Sequence, residues 1–270
     1  MNMEPIDLAD DAAKAGEASA EAVAEAASAN TPVAPHEARP ATALVIVAHP
    51  DDSDFGAAGT IARWSREGTR TWLVCCTSGD AGADDPRTDP LELARKREEE
   101  QRAAARVVGY EAVFFLHRPD GALDNDLALR EQLVRLIREL RPEAVLTMDP
   151  TVLIQDNSYV QHVDHRQAGM AALDAVYPAA RNAMAFPHLA IDDGLEPHSV
   201  RWLYLFFSDQ PTAWVDITDT VDAKIAALRC HVSQLRRPEE LEEMIRSWAR
   251  ESGKSIGRAA AETFRVVDIA

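Results

Sequence analysis

The sequence predicts an α/β fold, a Rossmann-like, doubly wound and largely parallel sheet flanked by helices. From Ala43 onward, short β-branched runs alternate with amphipathic stretches, which is the pattern of βαβ units around a parallel sheet. The chain has 270 residues, of which 46% are hydrophobic. A chain of this length can bury one substantial core and has little room for a second full domain.

Five strands and four helices are predicted from local periodicity. The strands are residues 43–48, 70–76, 112–116, 144–147 and 202–207. The helices are residues 55–67, 91–108, 127–140 and 165–176, where apolar residues recur with helical spacing among good helix formers. There is no internal repeat, and no glycine-rich dinucleotide motif follows the first strand.

Residues 1–42 differ in composition from the rest of the chain. Ten of the twenty residues from Asp11 to Asn30 are alanine, and three prolines follow before residue 42. Such a segment has few side chains whose burial could offset the entropy of ordering. We therefore expect a disordered or weakly helical leader over residues 1–42 and a single domain over residues 43–270.

Charge and cysteine content limit the classes of partner. The formal net charge of −17 disfavours binding to nucleic acid or to anionic lipid headgroups. The three cysteines, two of them adjacent in an apolar run, fit a reduced interior better than a disulfide framework. No apolar run approaches the roughly 20 residues that a membrane span needs. We expect a cytoplasmic protein with a small-molecule substrate. The sequence does not decide between a monomer and a homo-oligomer.

The first cluster of functional residue types follows the first predicted strand. The segment His49-Pro50-Asp51-Asp52 lies between that strand and a helix, at the end of the sheet where ligands bind in open α/β folds. A histidine and two carboxylates beside a helix N-terminus form a metal-site arrangement. The alternative is a helix N-cap with an incidental histidine.

A second cluster, His162-Val163-Asp164-His165, follows the fourth strand and opens a new helix. Two histidines three residues apart can reach a common centre. The first and fourth strands would both be central, so both clusters can face one crevice. Catalytic zinc takes three nitrogen or oxygen ligands and leaves one open position, which a His/Asp pair and one further histidine would supply.

The order of motifs resembles the LmbE/PIG-L family of zinc-dependent N-acetylglucosaminyl de-N-acetylases. Besides the two clusters, six segments match: residues 77–82, 97–100, 119–121, Lys224, 231–234 and 261–264. The resemblance covers about residues 43–266. Two positions depart from the family pattern, Asp54 where glutamate is common and Val163 in place of proline.

The resemblance implies a role for each residue of the clusters. His49, Asp52 and His165 would bind Zn²⁺ or another small divalent ion, and Asp51 would take a proton from water. His162, if protonated, would stabilise the oxyanion. For Asp164 two roles stay open, acceptor for an imidazole N–H or helix N-cap.

The resemblance also implies a substrate region. Arg97 and Asp120 would recognise sugar hydroxyls, and His231 would line the pocket or orient another residue. A purely structural role for His231 is the alternative. Tyr159 could reach the oxyanion or serve only in packing. His117, His188 and His198 have no motif around them, and we expect structural roles for these three.

The expected function is removal of an N-acetyl group from an N-acetylglucosamine-like sugar or glycoconjugate. One alternative is an amidase that acts on a thiol-sugar conjugate. A second is an α/β protein that binds a nucleotide or sugar without hydrolysis, which the missing glycine-rich loop disfavours. A metal phosphoesterase is a third, although two-metal sites usually need more ligands than the two clusters offer.

Overall fold

The central sheet forms from the most apolar segments of the chain. The computed structural model describes residues 35–155 and 159–269. Within them, seven strands form one sheet and two short strands form a hairpin. The sheet contains β1 (Thr42–Val47), β2 (Arg70–Thr77), β3 (Ala112–Arg118), β4 (Ala144–Met148), β7 (Trp202–Phe206), β8 (Ala213–Asp216) and β9 (Ala261–Asp268); the hairpin contains β5 (Ile154–Gln155) and β6 (Tyr159–Val160).

Two of the longer helices begin at clear local signals. The two long helices after β2 and β3 begin at aspartate N-caps, because Asp89 and Asp126 accept backbone N–H groups of the first turn. The described helices are α1 (Asp52–Gly56), α2 (Ala58–Arg66), α3 (Pro90–Val108), α4 (Leu127–Leu140), α5 (Val163–Asp174), α6 (Pro187–Ile191), α7 (Val221–Leu228) and α8 (Leu241–Lys254), with a π-helix over Ala175–Ala180.

The sheet reverses its winding direction between β1 and β4. The strand order is β3-β2-β1-β4-β7-β9-β8, and the first five strands in this order are parallel. The chain first adds β2 and β3 on one side of β1 and then crosses to add β4 on the other. Ligands bind at such a switch point, outside the carboxyl ends of the strands. The predicted fold class is confirmed.

The predicted elements agree closely with the structure in the parallel half of the sheet. Each of the five predicted strands is present with ends within two residues of the prediction. The helix predicted over residues 55–67 is two helices that meet at Ala57, and the helix predicted to end at residue 176 passes into the π-helix after Asp174. The antiparallel strands β8 and β9 were not predicted.

The segment before β1 contacts the domain. The His36 ring lies 2.8 Å from the Tyr204 hydroxyl, and Glu37 pairs with Arg63 at 2.8 Å. The Pro40 carbonyl accepts a hydrogen bond from the Thr69 hydroxyl. Of the leader predicted over residues 1–42, residues 1–34 lie outside the described residues, whereas residues 35–42 are described, make these contacts and end in Thr42, the first residue of β1. No helix in the described part of the chain is both long and apolar enough to cross a membrane.

Two truncations test the role of the leader. Deleting residues 1–34 should leave the Tm and turnover nearly unchanged, because an alanine-rich segment has little apolar surface to bury. Deleting residues 1–40 also removes the contacts of His36, Glu37 and Pro40. At about 1 kcal/mol for a lost hydrogen bond, each of these losses should lower the Tm by roughly 2–4 °C. A large loss of stability or turnover in the shorter deletion would show that residues 1–34 dock on the domain or complete an oligomer interface.

Candidate active site

A cavity of about 980 Å³ opens at the carboxyl ends of β1 and β4. Both predicted clusters line it, the first from the turn after β1 and the second from the start of α5. The loops after β2 and β3 complete this wall, through Ala81, Gly82, Asp120 and Gly121. Four segments that are distant in sequence therefore meet at the topological switch point.

The turn after β1 is closed by the carboxylate of Asp52. Its Oδ2 accepts the backbone N–H of His49 at 2.7 Å. Asp51, between them, has a φ of 89°, in the left-handed region. That conformation costs a non-glycine residue about 1–2 kcal/mol, although aspartate tolerates it better than most. Strained residues of this kind are concentrated at functional sites.

The same carboxylate lies between two imidazoles. Asp52 Oδ1 is 3.1 Å from His165 Nε2, and Asp52 Oδ2 is 3.4 Å from His49 Nδ1. Tetrahedral ligands that each lie about 2.1 Å from one ion are about 3.4 Å apart. Each of these two pairwise distances, measured from different oxygens of Asp52, is near that value.

Two combinations of residues in the described chain bring one possible ligand atom from each residue within 4.8 Å of the others. One is His49, His162 and His165, and the other is His49, Asp120 and Asp164. Imidazole nitrogen and carboxylate oxygen are donors that zinc accepts. The residues present thus fit a divalent ion, with His49 common to every combination.

The charges around His49 also favour a cation. Burial lowers the pKa of His49, but hydrogen bonds to Asp120, Asp164 and Asp52 raise it overall to about 12. Burial raises the pKa of Asp52, but His165 and His49 bring it well below its usual range. The site stabilises positive charge strongly, and a metal ion can take the place of protons there.

Asp51 has a different environment from Asp52. Burial and the neighbouring Asp52 raise the pKa of Asp51 to about 6, against the lowering effect of Arg97, His231 and His49. Arg97 Nη2 lies 3.3 Å from Asp51 Oδ2. The two adjacent aspartates therefore differ: Asp52 is ionised between two imidazoles, whereas Asp51 has a pKa close to neutrality.

His162 is the N-cap of α5. Its Nδ1 accepts the backbone N–H of Asp164 at 3.1 Å, so a neutral ring carries its hydrogen on Nε2. Burial, with the nearby His49 and His165, lowers the pKa of His162. Both observations favour a neutral ring that donates through Nε2, whereas the role expected from the sequence was conditional on a protonated ring.

The carboxylate of Asp164 is fully buried and joins the loop after β3 to His49. It accepts the backbone N–H of Gly121 at 2.7 Å and of Leu123 at 3.2 Å, and its Oδ2 lies 3.2 Å from His49 Nε2. Because His162 caps the helix, this placement fits the first of the two expected roles, acceptor for an imidazole N–H.

Arg97 lines the cavity but is 5% exposed. Its guanidinium donates to the carbonyls of Gly79 and Pro50, both at 2.9 Å. A Cβ atom at Gly79 or Gly82 would lie 2.2 Å or 2.4 Å from Arg97 Nη1, so both positions need glycine for this close approach. Arg97 thus holds the loop after β2 against the turn after β1.

Asp120 also lines the cavity and contacts the same elements. Its Oδ1 lies 2.9 Å from His49 Nε2, and its Oδ2 accepts the backbone N–H of Ala81 at 2.8 Å. The sugar contacts expected for Arg97 and Asp120 remain predictions, and both side chains are in place at the cavity wall.

His231 lies behind the site rather than in its wall. It is 1% exposed, and its Nε2 lies 2.9 Å from Asp54 Oδ2. Its side chain is therefore placed to orient another residue, and it is not among the residues that line the cavity.

The helix that carries Asp52 is anchored by a buried ion pair. Lys224 Nζ donates to the Phe55 carbonyl and to Glu262 Oε1, both at 2.6 Å. Glu262 also accepts the backbone N–H groups of Gly59 and Thr60, at the start of α2. These contacts link α7 and β9 to α1 and α2. They therefore hold in place the two helices that follow the turn after β1.

Comparison with known proteins identifies the family. Residues 44–176 match the family model PIG-L, described as GlcNAc-PI de-N-acetylase. The diacetylchitobiose deacetylase of Thermococcus kodakarensis is 33% identical over 231 residues, which cover 83% of this chain and 82% of the relative. The chain belongs to the PIG-L family.

Two further proteins extend this PIG-L relationship. The 1D-myo-inositol 2-acetamido-2-deoxy-alpha-D-glucopyranoside deacetylase of a Mycobacterium species is 28% identical over 236 residues, or 71% of this chain and 73% of the relative. The solved N,N'-diacetylchitobiose deacetylase of Pyrococcus horikoshii is 31% identical, with a TM-score of 0.77, over 85% of this chain and 84% of that chain. The predicted family resemblance is confirmed.

Part of the cavity wall lies outside the residues that match the PIG-L model. Phe207 and Trp248 line the cavity from beyond residue 176, with Phe55 and Tyr159 from within the match. Of these, only Tyr159 was singled out from the sequence. The exposed tryptophan of an amphipathic helix was the available signal for Trp248.

Three further histidines, for which the sequence predicts structural roles, do not line the cavity and form hydrogen bonds with other groups. They are His117, His188 and His198.

Proposed function

We propose that this PIG-L protein is a metal-dependent hydrolase that removes the N-acetyl group from an N-acetylglucosamine-containing sugar or glycoconjugate. The observation that carries the proposal is the meeting of His49, Asp52 and His165 at one wall of the cavity, with Asp51 beside them. The relatives named above are deacetylases, which supports the same reaction class.

The proposed metal ligands are His49, Asp52 and His165, with zinc as the expected ion. The family resemblance supports this choice among the candidates, and the Nδ1 of His162 is already occupied by the backbone N–H of Asp164. If His49 donates its Nε2 hydrogen to the carboxylates behind it, its Nδ1 lone pair faces the Asp52 side. The bound ion would supply Lewis acidity toward the amide carbonyl and would lower the pKa of water toward neutrality.

Asp51 is the proposed general base. With a pKa of about 6, its carboxylate is mostly ionised at neutral pH, yet it is basic enough to accept a proton. It takes a proton from the attacking water as the water oxygen bonds to the amide carbon. It then returns a proton to the amide nitrogen as the C–N bond breaks, which leaves acetate and a free amine. Arg97 holds the carboxylate in place.

His162 is the proposed donor to the oxyanion. Its Nδ1 is engaged at the helix N-terminus, so its Nε2–H is the group free to donate from the cavity wall. A neutral donor keeps its hydrogen through the reaction and stabilises the negative charge that develops on the carbonyl oxygen. Removal of one such donor typically costs roughly 10²–10³-fold in kcat.

The cavity fits a substrate larger than a simple amide. Its volume is near the upper end of the roughly 300–1,000 Å³ range of small-molecule sites. Asp120 and Arg97 offer charged groups for hydroxyls, and the aromatic side chains of Phe55, Tyr159, Phe207 and Trp248 offer apolar faces for sugar rings. This mixture suits a sugar, which has hydroxyls at its edge and C–H groups on its faces.

We also keep the proposal of a cytoplasmic location. All three cysteines are free, and Cys75 and Cys76 are buried within β2. Burial raises the pKa of Cys76 to about 12, so its thiol stays protonated and unreactive. Cysteines of this kind fit a reducing compartment.

An assay of product release tests the proposed function. Purified protein should bind about one divalent ion per chain and release acetate and free amine in equal amounts from N-acetylglucosamine or diacetylchitobiose. Chelation should abolish the reaction, and zinc or another small divalent ion should restore it. Acyl release only from a thiol-sugar conjugate would favour the amidase alternative. Full activity in verified metal-free protein, phosphate release, or sugar binding without hydrolysis would contradict the proposal.

The two adjacent aspartates should respond differently to the same substitution. Asp51→Asn should keep the metal and lower kcat by roughly 10²–10⁴-fold, because only the proton acceptor is lost. Asp52→Asn should weaken metal binding, because an amide oxygen is a poorer zinc ligand than a carboxylate.

Metal content and turnover are measured on both variants at equal zinc concentration. Asp174→Asn, on α5 but outside the cavity wall, is the matched control and should keep both. If Asp51→Asn arrives without metal while Asp52→Asn stays loaded and slow, the two roles are reversed. Normal metal content and turnover in both variants would refute the acid–base mechanism.

A further inference from the structure

The left-handed turn at Asp51 needs contacts that hold it, because a relaxed backbone would leave that conformation. The Asp51 carbonyl accepts the backbone N–H groups of Asp54 and Phe55, at 2.9 Å and 3.0 Å. Its carboxylate faces Arg97. Its backbone N–H donates to Gln101 Oε1 at 2.7 Å. Every backbone polar group of Asp51 thus has a partner, and only the N–H depends on a side chain.

Two residues of α3 hold opposite parts of this turn. Arg97 donates to the Pro50 carbonyl and to the Asp51 carboxylate, whereas Gln101 accepts from the Asp51 N–H. They are four residues apart, so they lie one helical turn from each other on the same face of α3. The side chains of α3 therefore hydrogen-bond to both polar groups of the peptide unit between Pro50 and Asp51, the Pro50 carbonyl and the Asp51 N–H.

The Gln101 amide has one possible orientation. Its Nε2 donates to Asp54 Oδ2 at 2.9 Å, and the same oxygen receives His231 Nε2 at 2.9 Å. A carboxylate can only accept, so the amide nitrogen must face Asp54 and the amide oxygen must face Asp51. Gln101 and Asp54 are 0% exposed and His231 is 1% exposed, so water does not compete for these groups.

We propose that Gln101 is a positioning residue, and that with Asp54 and His231 it locks the Asp51 turn in the conformation that presents the carboxylate to the cavity. The proposal rests on the proposed role of Asp51 as general base. Gln101 itself does not line the cavity and does not contact the three proposed metal ligands through any hydrogen bond of the described residues.

This arrangement predicts a defect in chemistry rather than in binding. Gln101→Met keeps the length of the side chain and removes both hydrogen bonds. The Asp51 N–H is then buried without a partner, and the strained turn loses the contact that compensates it. A misplacement of about 1 Å in a reacting group can cost about 10²-fold in rate. We expect kcat to fall by roughly 10–100-fold, with KM within about threefold and with unchanged metal content.

The control for general destabilisation is Arg138→Met. Arg138 is a buried side chain of α4 that donates to backbone carbonyls between residues 179 and 185, away from the cavity. This variant should lower the Tm at least as much as Gln101→Met and keep kcat. Equal losses of kcat in the two variants would attribute the Gln101 effect to stability alone and overturn the proposal.

A swap of the two buried groups gives the sharper test, and it applies even if Gln101→Met folds poorly. Gln101→Glu alone removes the donor to Asp54 and places two carboxylates together, so kcat should fall. Adding Asp54→Asn restores a donor between the two positions: one amide hydrogen serves the new carboxylate, and the other meets His231 Nε2, whose ring must then carry its hydrogen on Nδ1 and accept at Nε2. The double variant should regain at least tenfold in kcat over Gln101→Glu. No recovery, or a normal kcat in Gln101→Met or in Gln101→Glu alone, would refute the proposal.

A crystal structure of Gln101→Met separates this proposal from the proposed function. We expect the Asp51 φ to leave the left-handed region, or its carboxylate to turn from the cavity. A turn identical to that of the parent protein would overturn the positioning role. If instead the parent protein releases no acetate from any acetamido sugar, the proposed function fails while the structural result still decides the role of Gln101.

Discussion

The candidate site depends on the contacts that the Asp52 carboxylate makes with two histidines. One oxygen closes the turn after β1 through the His49 N–H and faces the His49 ring, while the other meets His165 from the helix after the β4 loop. The two histidine motifs can share this carboxylate because β1 and β4 are adjacent parallel strands at the switch point of the sheet. The fold therefore sets the distance between the donors before any ion binds.

The burial of so many charges also explains the division of labour among the carboxylates. A buried ionised group must be paired, and the partners available here are imidazoles, one guanidinium and backbone N–H groups. Asp52 lies between two imidazoles and stays ionised. For Asp51, burial and the like-charged Asp52 outweigh the lowering effect of Arg97, 3.3 Å away, and raise the pKa to about 6. Neighbouring positions in the sequence thus acquire different chemistry from their surroundings.

The parallel half of the fold and both histidine motifs were predictable from the sequence, because buried strands and metal-binding residue types are local signals. The strands β8 and β9 were missed, because β8 has only four residues and β9 carries charged residues among its apolar ones. Gln101 and the burial of His231 could not be read from spacing, because their partners lie 50 and 177 residues away. Arg97 was indicated only by the family resemblance. Its four-residue spacing from Gln101, which places both on one face of a helix, was the signal that could have pointed to Gln101.

The most direct test of the account is the location of the ion itself. Crystals of the zinc-loaded protein, measured on both sides of the zinc absorption edge, would place the metal by its anomalous scattering. The account predicts one zinc within about 2.0–2.2 Å of His49, Asp52 and His165, with the Asp51 carboxylate beside it but outside the ligand set. A zinc bound by His49, Asp120 and Asp164, or by Asp51 in place of Asp52, would contradict it.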